Sequence, residues 1–150
     1  KMAAGEKLKI QYNKKTIVIY VIVSVFVVIF TIWTLFWGGI DISFHDNDFT
    51  VEAQGWSDYT VGYEQIDSIS YKENLFQNGN DCRTNGMGNL KYGMGNFRND
   101  IYGDYIRYTH ASCHSYVVMD IGGKILVVNG ADDSETKKIY DILREKCQMN

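Results

Sequence analysis

Hydrophobic and polar positions along this chain fall into three successive rhythms. From Ile17 to Trp37 the run IVIYVIVSVFVVIFTIWTLFW is apolar almost without interruption, and no charge occurs between Lys15 and Asp41. At about 1.5 Å per residue such a run reaches roughly 30 Å, the thickness of the hydrocarbon core of a bilayer. Tyr20 stands toward one end, and Trp33 and Trp37 toward the other, where amphipathic rings favour the headgroup level. The pattern predicts a transmembrane helix over residues 17–39, preceded by a tail (1–16) and followed by a short tether (40–47).

From residue 48 onward the period shortens to two. FTVEAQG and YTVGY flank a turn around Gly55 and Ser57 and read as a hairpin, and IDSISYKE alternates after them. A loop, NLFQNGNDCRTNG, leads into a doubled word: GMGN at Gly86–Asn89 and again at Gly93–Asn96. DYIRYTH, SYVVMDI and KILVVNG follow, the last two joined by the turn dipeptide Gly122-Gly123. Then the period becomes helical. Ile139, Ile142, Leu143 and Cys147 form one apolar stripe, Asp132 and Glu135 have the spacing of a capping box, and Arg144 and Lys146 suit the C-terminal end of a helix dipole. Residues 48–150 thus read as about seven short strands closed by one helix, an α+β body that is mainly β.

Charge adds an orientation. Residues 1–16 carry five lysines against Glu6 alone, whereas residues 41–150 carry ten basic against seventeen acidic residues, a formal −7. The positive-inside tendency keeps the N-terminus in the cytoplasm and sends the strand-rich part across. The apolar run is longer than the core of a cleaved signal peptide and no A-x-A-like site follows Trp37, so it reads as an uncleaved signal anchor. An acidic outer domain repels polyanions, which argues against nucleic acid as a partner.

The stretch from Arg83 to Leu143 carries RTNG at Arg83–Gly86, YGMGNF at Tyr92–Phe97, then YGDYIRY, SYVVMDI and ILVVNGADDSETKKIYDIL. In these residues the chain resembles the bacterial pleckstrin-homology-like (PH-like) family of small membrane-anchored proteins. The resemblance covers most of residues 48–145, and RTNG followed by the G-x-F spacing is its most specific part. It implies a strongly bent seven-stranded barrel capped by a C-terminal helix at a bacterial cytoplasmic membrane. It implies no established chemistry. Eukaryotic PH domains that hold phosphoinositides use a basic first hairpin loop; here that loop is AQGWSDY, without Lys or Arg, so no phosphoinositide is expected.

Few residues point to chemistry. The glycine words lack the Lys-Ser/Thr of a phosphate loop and the spacing of a dinucleotide fingerprint. Gly86, Gly88, Gly93 and Gly95 therefore read as strand-shaping glycines, with Met87 and Met94 packing inward and Phe97 completing the motif. HASCH places His110, Cys113 and His114 close together, but strand alternation separates the cysteine from the histidines, and no metal site is assigned. No G-x-S-x-G or H-E-x-x-H signature occurs, and no catalytic residue or cofactor is assigned. Cys82–Cys113 is the disulfide pairing to test, against three unbonded thiols. Trp56 at the hairpin tip is either an exposed partner anchor or folded back. Arg83 and Asn85 either line a pocket or serve locally, Arg83 pairing with Asp81 or Asp104.

These features describe a membrane-anchored interaction module, an adaptor or accessory subunit among membrane or envelope proteins, and not an enzyme. The alternative is an extracytoplasmic small-ligand sensor with a pocket near Arg83 and the Gly86–Gly95 region.

Overall fold

A computed structural model of the chain describes residues 13–76 and 81–148. It divides into two compact units, one ending at Thr34 and the other beginning at Leu35. The first consists of most of helix α1, Lys14–Phe36. Asn13 starts this helix: its side-chain oxygen accepts from the Lys15 amide at 3.2 Å and its carbonyl from the Ile17 amide at 3.1 Å. None of the 23 helical residues is buried, and the helix is long and apolar enough to cross a membrane. The hydroxyls of Thr31 and Thr34 donate to the Val27 and Thr31 carbonyls at 2.8 Å, so neither needs water. Helix α1 starts and ends three residues earlier than the predicted 17–39 segment.

The second unit opens with a strand where a tether was expected. Ile40, Ile42 and Phe44 alternate with Asp41 and Ser43 along β1 (Gly39–Phe44), and the three apolar side chains pack into the core, which holds this backbone extended. β1 pairs antiparallel with β2 (Asp48–Gln54), and β2 with β3 (Tyr59–Gly62), as a three-stranded sheet. The remaining strands are β4 (Ser68–Glu73), β5 (Cys82–Gly88), β6 (Tyr92–Asn99), β7 (Gly103–His110), β8 (Ser115–Ile121) and β9 (Lys124–Val128). They form a six-stranded sheet in the order β4-β8-β9-β7-β6-β5, antiparallel throughout except for β7 against β9.

Among the described residues, nine strands in two unclosed sheets thus stand where a seven-stranded bent barrel was expected. The two additional strands are β1 and β5. RTNG, expected as a turn, runs within β5, where Thr84 is an extra residue between Arg83 and Asn85, a β-bulge against β6.

The sheet is buried on both faces. Met94, Tyr108, Val117, Met119, Leu126 and Val128 form one core with residues of β1 to β3 and of helix α2 (Asp133–Lys146). Phe97, Tyr105, Tyr116, Val118 and Val127 form a second cluster on the other face, against Leu75, Phe76 and Tyr102. Asp132 caps α2 as expected, accepting from the Glu135 amide at 2.8 Å, but the return bond of the expected capping box goes one residue further back: the Glu135 carboxylate accepts from the Ala131 amide at 2.7 Å. Gly122 and Gly123, with φ of 59° and 85°, make the two-residue turn between β8 and β9.

The doubled word is resolved by register. Met87 faces Met94, and both belong to the main core. Gly86 faces Gly95 with φ of 145° and 120°, and a Cβ on either would collide with the carbonyl of the opposite strand. Gly95→Ala is therefore expected to destabilise the full chain by about 2 kcal/mol or more. Gly93→Ala, whose Cβ would meet nothing nearer than 3.6 Å, is expected to stay within about 1 kcal/mol. Urea unfolding in detergent micelles measures both.

Candidate functional site

A hollow of about 440 Å³ lies between β1 and α2. Five consecutive residues of β1, 40 to 44, line it. Side chains alternate across a strand, so five in a row mean that the edge of β1, and not one face, borders the hollow. The opposite wall is a helical stripe of Glu135, Lys138, Ile139 and Ile142, and His110, Asn129 and Gly130 complete the lining.

The ladder fixes which main-chain groups are free. At the closed end of the β1–β2 hairpin the His45 amide donates to the Asp48 carbonyl at 2.8 Å. Bonded and non-bonded pairs alternate along an antiparallel ladder, which makes Ser43/Thr50 and Asp41/Glu52 the bonded pairs. The N–H and C=O groups of Ile40, Ile42 and Phe44 consequently point away from β2, toward the hollow. β1 is an edge of its sheet.

Asn129 supports this site from below. Its side chain accepts from the His110 amide at 2.7 Å and donates to the His110 and Cys113 carbonyls at 3.2 and 3.4 Å. His110 packs edge-on to Tyr92, and its buried Nδ1 has no hydrogen-bond partner among the described residues. An extended chain entering the hollow would meet a row of main-chain donors and acceptors and a helical wall of two isoleucines, a glutamate and a lysine.

A second constellation occupies the opposite face of the six-stranded sheet. The Arg107 guanidinium lies 4.3 Å from the centre of the Phe76 ring and 5.0 Å from that of Phe97. It donates through Nη1 to Asp81 at 2.5 Å and through Nε to the Thr109 hydroxyl at 2.7 Å. The Tyr105 hydroxyl donates to the other oxygen of Asp81. Arg107 and Asp81 expose 16% and 15% of their side chains, so the pair is largely removed from water. Burial, reinforced by the Asp81 carboxylate, holds the Tyr105 phenol well above its usual range. Burial likewise raises Tyr102 and Tyr116, and pushes Tyr108 up to about 12. Every polar atom of this cluster named here has a partner, which marks it as a fastening between sheet and cover.

A second hollow, of about 460 Å³, is lined by Thr84, Asn96, Arg98, Asp104, Tyr105, Ile106, Lys124 and Ile125. Arg98 grips Asp104 there with two bonds of 2.6 and 2.8 Å.

The residues singled out by sequence fall unevenly around these sites. Trp56 is folded back against the main core, with its amide on the Ala53 carbonyl at 3.1 Å. Arg83 and Asn85 are exposed and line neither hollow. The acids considered for Arg83 are held by other arginines, Asp81 by Arg107 and Asp104 by Arg98. Arg83 instead lies beside Gly88. Phe97 is buried beneath Arg107. Cys82, Cys113 and Cys147 are free thiols. Cys82 opens β5 at one edge of the sheet, Cys113 lies in the loop between β7 and β8, and the pairing considered from sequence is not formed. Cys113 is buried in a polar nest beneath α2, within 3.3–3.4 Å of Ser115, Asp133 and Thr136. No group of three His, Cys, Asp or Glu among the described residues is arranged to hold a metal ion.

Two functional elements escaped the sequence-based expectations. The free edge of β1 lay in the presumed tether, although the alternation Ile40-Asp41-Ile42-Ser43-Phe44 was its signal. Arg107 lay inside DYIRYTH, where a cation between apolar neighbours was the only sign. No protein-family model, no curated protein and no solved structure matches the chain.

Removing one member of the Arg107–Asp81 pair strands its partner. Arg107→Met is expected to cost about 3 kcal/mol of stability, and adding Asp81→Leu to recover a good part of it; denaturant titration of the two single variants and the double variant measures the coupling. The tyrosines give a pH dependence. Tyr63, Tyr102, Tyr105, Tyr108 and Tyr116 are all raised above their unfolded value of 10.0, burial being the largest cause for each. Their contribution is complete below pH 10 and declines as pH rises above it, because the unfolded chain releases those protons first. Ultraviolet titration is expected to resolve an early phenolate phase and a late one that coincides with unfolding.

Proposed function

We propose that this chain is a single-pass membrane protein with a cytoplasmic N-terminus and an extracytoplasmic PH-like interaction module, acting as an adaptor or accessory subunit in a bacterial membrane or envelope assembly. The apolar helix and its basic upstream flank support the anchoring and orientation. The strand-rich body with its capped C-terminal helix is compatible with a divergent PH-like lineage, although its sheets remain open.

The observation that carries the binding role is the hollow between the free edge of β1 and the stripe Glu135–Lys138–Ile139–Ile142. Its chemistry suits an extended peptide that adds a strand to β1. Main-chain bonds to Ile40, Ile42 and Phe44 supply affinity without sequence demands. Ile139 and Ile142, with Glu135 and Lys138 beside them, then sort alternate side chains. The anchor confines the module to the membrane, which raises its effective concentration toward partners held there.

A second reading, a small-ligand sensor, rests on the hollow lined by Arg98, Asp104 and Lys124. Its polar rim suits a small zwitterionic or anionic ligand. Arg83, the residue first considered for such a pocket, is not part of it.

Two measurements test the proposal. A membrane-impermeant thiol reagent is expected to label exposed Cys82 in intact cells; protection until permeabilisation would overturn the outside assignment. A photocrosslinker at Asp41 is expected to capture a discrete partner. Ile42→Pro removes an outward-pointing donor while sparing the bonds of β1 to β2, and should abolish that adduct. Ile142→Asp on the exposed helical wall should weaken it with the fold unchanged. An adduct that survives both substitutions rules out strand addition at β1.

A further inference from the structure

The turn between β5 and β6 carries an unusual set of bonds. Asn89 organises it internally, its side-chain oxygen accepting from the Lys91 and Tyr92 amides at 2.8 and 3.0 Å. The same side chain donates to the Trp37 carbonyl at 2.6 Å, and the Leu90 amide donates to the Leu35 carbonyl at 3.3 Å. The Lys91 ammonium lies 5.6 Å from the centre of the Phe36 ring. Leu35, Phe36 and Trp37 belong to the same compact unit as the strands, so these contacts are internal to it.

The side chain at the tip has no apolar cover. Leu90 is 62% exposed, and Leu35, Phe36 and Trp37 beside it are exposed as well. Four large apolar side chains are thus bound together at one place with a single lysine among them. In water such a patch is unfavourable, since each apolar group there forgoes about 25 cal/mol for every Å² left wet. Aromatic rings, an aliphatic tip and a lysine whose ammonium stands over a ring are the composition of a surface that sits at the boundary between headgroups and acyl chains.

We infer that the Asn89–Lys91 turn is a membrane-contacting tip, with Leu90 inserted at the headgroup–acyl boundary and the Lys91 ammonium among the lipid phosphates. This rests on the membrane-spanning reading of Ile17–Trp37, in which Trp37 marks the headgroup level. The Asn89 bond to the Trp37 carbonyl then places the turn at that level. The partner is the lipid surface itself. Asn89 acts as the positioning residue, since its one side chain shapes the turn and ties it to Trp37.

The β6–β7 turn provides an internal control. Ile101 at its tip is 61% exposed, as apolar and as open as Leu90, but it lies at the other end of the eight-residue strand β6. The length of β6, about 26 Å at roughly 3.3 Å per residue, separates it from the Asn89–Lys91 turn and from the Leu35–Trp37 contacts.

The test uses the full chain in phosphatidylcholine–phosphatidylglycerol vesicles that contain lipids with a nitroxide near the headgroup. A fluorescent amino acid is introduced by codon suppression at position 90 in one sample and at position 101 in another, neither site being packed. Position 90 is expected to lose most of its emission and position 101 almost none. Asn89→Ala should reduce the quenching at position 90 while leaving vesicle association intact. Equal quenching at 90 and 101, in a chain that resists alkaline carbonate extraction, would overturn the membrane-contacting tip and leave the anchor standing. Release of the chain by carbonate would overturn the anchor, and the tip with it.

Discussion

Two strands without a polar face govern this fold. β8 and β9 read SYVVMDI and KILVV, and their neighbouring positions are buried in opposite directions. A strand of that kind is stable only between two covers. On one side, Val117, Met119, Leu126 and Val128 require the small sheet of β1 to β3 and the stripe of α2. On the other, Val118, Val127 and Tyr116 require Leu75, Phe76 and Tyr102. The parallel junction of β7 with β9 follows from the same need. It places β9 inside the sheet, between β8 and β7, and leaves the less apolar β4 and β5 at the edges.

The second cover is thin, and this explains the charge beneath it. Among the described residues, Leu75, Phe76 and Tyr102 form it, a shallower apolar layer than a helix supplies. Arg107 compensates by presenting a flat cation to two aromatic rings while Asp81 neutralises it. Its net stabilisation is modest, because both charges lose hydration. Its geometric effect is larger. The guanidinium, the Tyr105 hydroxyl and the Thr109 hydroxyl together accept one arrangement of Asp81, and so fix where the chain enters β5.

What was legible in the sequence was local. The Asp132 cap of α2, the Gly122-Gly123 turn and the inward pairing of Met87 with Met94 depend on residues a few positions apart, or on the alternation of a single strand. The apolar helix is legible for the same reason. Arg107 with Asp81 was not, because 26 residues separate the partners and only the strand order brings them together. Arg83 was the plausible rival until the bulge at Thr84 altered its course. The collision that reserves positions 86 and 95 for glycine is equally a property of register. β1 was hidden differently: its alternation was present, but six residues directly after a glycine pair and an apolar run invite the reading of a tether.

The edges bear on function more than any single residue. An exposed strand edge invites pairing with other chains, and proteins blunt it with charge, bulges, proline or short length. Three of the four edges here are blunted. β5 carries a bulge and Arg83, β4 carries Lys72 and Glu73, and β3 is only four residues long. β1 has six residues, no bulge and Asp41 as its sole charge, and the chain contains no proline at all. The edge left open is also the one that faces a hollow walled by a helix. An unprotected edge on a water-filled side would be an aggregation hazard. Set in a groove whose far wall is α2, it has little room for a second sheet beside it, and on the adaptor reading proposed above that is what would restrict it to a single extended chain.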